Sequence, residues 1–559
     1  METTYETSSN VRSALLVLNF AVGVLVLWLG RFLYQGISIR FTFWRMKRKG
    51  LPVPEPHSFL LGHLPLMKSL RNGLPKDAHD SYSSRKLTVD WHRYFPNLTE
   101  CPPVIYLDMW PLFSYPVVHA ISPEACYQIT QQKNRPRHPF FGWALKPITG
   151  GQDIITMDIP THRMWRASLK PAFSLRNLNT IIPVLTEEVA IFTKLLCDAA
   201  GSDGGFGEVF PLYERTRNLT FDIILKASLD MPVHEQTQGP SPLLKAMKVL
   251  NKYVKAENML SKLERAMPKF RRDLAVNSSE IDAILRPHIE KRDPARKSVV
   301  DFALAEIAAH KGVSGDPKDW AAQTDLVDTV ISNMKLFIVA GHHTTAQVMC
   351  WVLYEVYSRP EVLKQVRAEV QEVLGPDVRG SIDEDPLLLS QLRYSAAVIK
   401  ETLRFNPVAS THRQGSAGFN LFIDGQIYPT LNGLINTSPI SCHMRSDLWP
   451  EVNEFIPERY LVDEDSPLRP AKNAWRPFEL GSTRCIGEEL AMIEMKLALA
   501  FTVGKLDMEF DFAGWYAKQN RDASPNTVDG QYMYRIGHGI GAVKESLPTR
   551  VRLRPDQRE

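Results

Sequence analysis

Residues 476–491 read RPFELGSTRCIGEELA, which sets a cysteine between glycines at the mouth of an apolar helix. Gly481 and Gly487 let the backbone turn tightly and pass close to a flat object. The run that follows, EELAMIEMKLALAFTV (488–503), reads as a strong helix whose first N–H groups aim at the Cys485 sulfur. Such a setting favours the thiolate, the form that binds a metal. Taken alone, the segment also suits a buried cysteine in a turn.

Its companions argue against that plainer reading. KETLRFNP (400–407) puts Glu401 and Arg404 three apart on one helix face, where they can pair. NEFIPERY (453–460) brings Arg459 from a proline-containing loop as a third member of an ion-pair network. Glu-x-x-Arg by itself is common. Followed first by Phe-x-Pro-Glu-Arg and then by Phe-x-x-Gly-x-x-x-Cys-x-Gly, it is a far rarer order of events. A thiolate held as Cys485 is can bind a haem iron and push electron density onto it, which favours O–O cleavage.

The ordered set resembles the cytochrome P450 family of haem-thiolate monooxygenases, and the resemblance covers nearly the whole chain. It implies a mainly α fold with a small β portion, preceded by one N-terminal transmembrane helix. It makes Cys485 the axial ligand of a haem, iron protoporphyrin IX. Phe478 would pack over the sulfur and Gly481 and Gly487 would approach the cofactor, with Glu401, Arg404 and Arg459 bracing the proximal side. AGHHTTA (340–346) fits the family's oxygen-activation segment. There Ala340 and Gly341 would leave a groove over the haem, and Thr344 would hydrogen-bond dioxygen and help deliver protons. THRMWRASLKPAFS (161–174) resembles the helix that reaches the haem propionates, with His162 and Arg166 facing them. The segment around Phe140–Gly151 resembles a pocket-lining loop.

Two positions depart from the family pattern. The residue before Thr344 is usually an acid and here is His343; a histidine titrating near neutrality can still relay protons. The propionate-binding arginine expected at 483 is Thr483, and Arg484 beside it would point away. The tandem His342–His343 does not read as a zinc site, because neighbours on a helix point about 100° apart.

Ahead of this body, SALLVLNFAVGVLVLWLG (13–30) runs uncharged, and Arg31, Arg40, Arg45, Lys47, Arg48 and Lys49 follow. Eighteen such residues reach roughly 27 Å, close to a bilayer's hydrocarbon thickness. The basic excess belongs in the cytoplasm. Residues 1–36 therefore read as a signal anchor, 37–57 as a basic and proline-rich hinge, and 58–559 as the catalytic domain. The expected location is the endoplasmic reticulum membrane, single-pass, with a cytosolic body. Elsewhere, PEVLKQVRAEVQEVLG (360–375) reads as an amphipathic helix, 324–360 as a helix through the domain centre, and 411–440 as short strands. Gly537, Gly539 and Gly541 precede no helix, so they form no phosphate cradle.

A net charge of +4 over 559 residues excludes nucleic acid as the main partner, and six scattered cysteines are no disulfide framework. By the resemblance, the partners are NADPH-cytochrome P450 reductase, dioxygen and a small lipophilic substrate, such as an intermediate of fungal secondary metabolism. The alternatives are a haem-thiolate isomerase, dehydratase or ring-former needing no external electrons, and a non-catalytic haem carrier.

Overall fold

The computed structural model describes residues 2–255, 257, 259–290, 298–301, 324–522 and 526–555, without the side chains of 2–14 and 324. Its organising element is the helix Thr324–Tyr357, called here the central helix. Its apolar window is 78% buried, so this second long apolar helix is a core element. Along one side it packs on the helix Leu212–Leu229. Gly341 sets their approach: a Cβ there would lie 2.9 Å from Ile224 Cδ1. The Thr216 and Thr220 hydroxyls fasten the seam by donating to the Ala346 and His342 carbonyls, at 3.3 and 2.9 Å. The helices Leu175–Cys197 and Glu488–Val503 extend the same core, and Pro360–Leu374 buries Val362, Val366, Val370 and Leu374 at helical spacing.

The β portion is small. Strands β1 (Val104–Leu107) and β2 (Val117–Ala120) join β4 (Thr411–Gln414) and β7 (Leu434–Thr437) in a sheet ordered β1-β2-β7-β4. Only β2–β7 in it is parallel. Strands β5 (Asn420–Ile423) and β6 (Gln426–Pro429) form a hairpin, and β3 (Phe210–Pro211) and β8 (Leu506–Phe510) flank β11 (Pro548–Leu553). The glycines at 537–541 turn the chain between β9 (Arg535–Ile536) and β10 (Ala542–Val543), all three with positive φ.

The N-terminal helix runs unbroken from Glu2 to Arg48. Its apolar window has a mean hydropathy of 2.1 and none of it is buried, whereas Phe43 and Met46 are core residues. The expected hinge at 37–57 is therefore replaced by a docked segment. Arg40 explains the docking: its buried guanidinium pairs with Asp108 and donates to the Phe59, Leu60 and Trp110 carbonyls. Leu51–Pro54, expected to be spacer, are buried as well.

The segment after Pro139 is a helix, Phe140–Thr149, rather than a loop. Pro147 inside it has no N–H, which frees the Trp143 carbonyl. Arg265 Nη1 fills that gap at 2.7 Å. Beyond Gly150, which caps the helix with φ +80°, the Ser332 and Asn333 side chains of the central helix hold residues 149–154.

Candidate active site

A cavity of about 350 Å³ lies between the central helix and the Cys485 loop. Phe141, Leu145, Ile154, Phe337, Val408 and Ile540 give it mainly apolar walls, as a site for a lipophilic molecule needs. Cys485 is exposed, and the space it is exposed to is this cavity. Desolvation pushes its thiol pKa up, opposed by the Gly487 N–H and by the guanidiniums of Arg166 and Arg137. Phe478 lines the same wall.

The loop holds its shape through its own backbone and a buried ion pair. Cys485 N donates to Phe478 O at 2.8 Å, and Arg484 N to Gly481 O at 3.2 Å. Gly481 has φ +93°, and a Cβ on it would stand 2.4 Å from Thr130 O. The glycine is thus required by packing against residues 128–132. Glu479, in the left-handed region at φ +59°, is held by Arg476 and by the Thr437 hydroxyl at 2.6 Å. Behind the loop, fully buried Glu401 accepts from Arg404 Nη2 (2.8 Å), Arg404 Nε (2.9 Å), Arg459 Nε (3.2 Å) and Ile456 N (3.0 Å). Arg404 also donates to the Val452 and Glu454 carbonyls, tying the helix Arg393–Phe405 to the proline loop.

Across the cavity, Ala340, Thr344 and Val348 line the wall at intervals of one turn. Thr344 Oγ1 donates to Ala340 O at 2.6 Å. Gly341 and His343 lie on the other side of the helix. Gly341 faces Ile224, so it serves helix packing and not the groove. His343 Nδ1 lies 3.1 Å from the Tyr213 hydroxyl. Burial and the nearby Arg217 and Lys248 charges hold its pKa down to about 4, which overturns the expectation of titration near neutrality. No His/Cys/Asp/Glu cluster suited to a metal occurs among the described residues.

A second chamber of about 370 Å³ adjoins the first, sharing Arg137, Phe141, Ile155 and Thr483 with it. His162 and Arg413 line it, and Arg166 lines the main cavity. Arg137 Nε, His162 Nε2 and Arg413 Nε are buried without a partner. Desolvation lowers these groups to about 9, about 4 and about 10 respectively. Arg413 also donates to the Thr483 hydroxyl, whereas Arg484 is half-exposed and turned to Glu488, 3.8 Å away.

The cytochrome P450 family model matches residues 92–514. The chain belongs to the cytochrome P450 family. It is 33% identical to the cytochrome P450 monooxygenase polC of Polytolypa hystricis over 96% of this chain and 95% of that relative. It is also 28% identical to the cytochrome P450 monooxygenase ptmG of Penicillium ochrochloron, covering 92% of each. The crystal structure of the cytochrome P450DA heme domain superposes with a TM-score of 0.66 at 18% identity, over 91% of this chain and 98% of that one. The protein is accordingly a monooxygenase, an oxidoreductase that uses dioxygen, a redox partner and a substrate. Members of the family bind haem through a cysteine thiolate.

The residues present fit that group. Haem carries two carboxylates, and the Arg137 and Arg413 guanidiniums converge beside the neutral His162 ring, each of the three with a buried nitrogen that lacks a partner and that could donate to a carboxylate. Arg137 and Arg413 were not foreseen from the sequence. Arg413 sits in a strand that reads as ordinary, and Arg137 in NRPRHP carries no spacing signal; only the fold brings them beside His162.

Proposed function

We propose that this protein is a membrane-anchored haem-thiolate monooxygenase in which the Cys485 thiolate would hold the haem iron. It inserts one oxygen atom of dioxygen into a small lipophilic substrate, an intermediate of fungal secondary metabolism. Its electrons come from NADPH through NADPH-cytochrome P450 reductase. The observation that carries this reading is the cavity itself, with Cys485 on one wall and Thr344 on the opposite one. The exposed apolar helix of residues 15–30 and the basic residues after it support a single-pass anchor in the endoplasmic reticulum with the body in the cytosol.

Haem bound here supplies dioxygen activation and oxygen-atom transfer. The chain does the rest. The Cys485 sulfur would hold the haem iron and supply it with electron density, and its loop is steadied by the Phe478 carbonyl turn and the Glu401 network behind it. Arg137, Arg166, Arg413 and His162 would orient the cofactor by its carboxylates. Phe141, Leu145, Ile154 and Val408 keep water from the substrate. Thr344 keeps its hydroxyl hydrogen on Ala340 O, which leaves its oxygen lone pairs to receive a proton or a hydrogen bond on the cavity side.

The test begins with the reduced carbon monoxide spectrum. Cys485→Ala should abolish the long-wavelength band, and an unchanged band would refute the ligand assignment. With the band established, metabolite mass spectrometry of the source organism with and without the gene separates the chemistries. An accumulated compound lighter than the lost product by one oxygen atom supports oxygenation. Equal masses would replace it with the isomerase reading.

A further inference from the structure

Monooxygenation consumes protons: RH, dioxygen, two electrons and two protons give ROH and water. The walls facing Thr344 are mainly apolar, so those protons need a polar path to the central helix. The seam with the helix Leu212–Leu229 supplies one. His343, Gln347 and Cys350 fall on one stripe of the central helix. Tyr213 and Thr216 approach that stripe, Tyr213 at His343 and Thr216 with its hydroxyl 3.3 Å from Cys350 Sγ. The buried Gln347 amide has neither its oxygen nor its nitrogen partnered, and His342 Nε2 and Asn218 Oδ1 are unpartnered too. Polar atoms in such a seam are the setting in which buried water is held. Outward, Arg217 pairs with half-exposed Glu214, which opens the line to solvent.

We propose that Tyr213 and His343 form an uncharged proton relay that feeds the Thr344 side of the cavity through this seam; it rests on the monooxygenase reading above. The Tyr213 O–H gives its proton to His343 Nδ1 while the imidazole releases one from Nε2 to water held in the seam, and a turn of the ring presents its free nitrogen to Tyr213 before the next pass. Tyr213 regains a proton from water at the Arg217–Glu214 end. One proton crosses per pass, and nothing is oxidised or reduced. The surrounding groups favour this neutral form. Burial pushes the Tyr213 hydroxyl up and His343 down to about 4. The groups facing the pair are Glu214 and Arg217 on the 212–229 helix, Lys248 on the helix Pro242–Asn251, and His342 and Cys350 on the central helix. The two nearest cations oppose an imidazolium, so the ring moves protons by tautomer exchange and does not store them.

The holoenzyme with reductase, NADPH and dioxygen, without added substrate, tests this through the hydrogen peroxide formed per dioxygen consumed. Tyr213→Phe, with its haem content and reduced carbon monoxide band intact, should raise that share at least about twofold and enlarge the solvent deuterium effect on dioxygen uptake. In a His343→Asp background, where the carboxylic acid takes its proton directly from water, the same tyrosine change should do nothing. Unchanged peroxide in Tyr213→Phe refutes the relay, and so does an equal effect in both backgrounds, which would mean packing. A wild-type enzyme that shows the band yet consumes no dioxygen refutes the monooxygenase reading, and the relay with it.

Discussion

Replacing Arg137 by methionine should stabilise the haem-free protein while loosening haem, two effects of opposite sign from one side chain. Arg137 is half-buried, its Nε is buried without a partner, and the charges of Arg413 and Arg166 add to the desolvation that lowers its pKa to about 9. A guanidinium stays charged at neutral pH, so the fold carries the penalty. Because the folded value lies below the unfolded one, that penalty is complete below about pH 9 and fades as pH rises through it. A displacement of this size corresponds to on the order of 5 kcal/mol, of which relaxation and water entry would leave about half. Methionine keeps the stem's apolar contacts and removes the charge, so haem-depleted Arg137→Met should gain about 2 kcal/mol in urea unfolding. With haem bound the sign reverses, since a charge-assisted hydrogen bond to a carboxylate contributes roughly 1.5–3 kcal/mol. Haem transfer to an excess of an acceptor protein should then quicken roughly 10- to 100-fold. If both stability and haem retention fall together, Arg137 is a packing residue and the carboxylate argument is wrong.

Three further perturbations follow from the same geometry. Glu401→Gln leaves Arg404 and Arg459 buried without an anion and should cost about 3–5 kcal/mol, read as a lowered urea midpoint; a loss under about 1 kcal/mol would show the network to be dispensable. Removing residues 1–30 should leave the thermal midpoint of the body unchanged, since contacts with the body begin at Phe32 and Gln35. Removing 1–48 should lower it, because Asp108 loses Arg40 and the core loses Phe43 and Met46; equal midpoints would contradict the docked helix. Stability should fall as pH drops from about 6.5 towards 4, because His119, His162, His343 and His412 are held near 4 when folded and the unfolded chain takes up protons first. Each contributes up to about 1.4 kcal/mol per pH unit, so a flat urea midpoint between pH 7 and pH 5 would contradict their burial as neutral rings.

What the sequence made legible was whatever a local pattern encodes. The helices 360–374 and 488–503 announce themselves by periodicity and by Pro360, Gly375 and Gly487 at their ends, and the strands within 411–440 by their turn residues. Cys485, Glu401, Arg404 and Arg459 were legible because their motifs are rigid in spacing. The cluster of arginines around His162 was only half visible. His162 and Arg166 lie on one recognisable helix, but Arg137 and Arg413 come from segments 276 positions apart, and no local rule brings them together. The hinge was misread for a similar reason. Prolines at 52, 54 and 56 do favour extended backbone, but whether such a segment stands in water or packs on a body depends on a distant partner, here Asp108 for Arg40.

The central helix shows why adjacent residues of one motif can have different duties. A helix turns about 100° per residue, so Ala340, Thr344 and Val348 share the cavity face while Gly341 and His343 belong to the seam. The two faces are under separate constraints. The cavity face must match a substrate, and changes at 340 or 348, with Phe141 and Leu145 opposite, alter that match without touching the seam. The seam must keep two helices close and a tyrosine in reach of an imidazole. A bulkier residue at Gly341 would press on Ile224 and spread the helices, lengthening the Tyr213–His343 contact while the cavity lining stays as it is. Substrate choice and proton supply are therefore separable in this fold although their residues are consecutive, and an enzyme so built can change its substrate by substitutions that leave its oxygen chemistry intact.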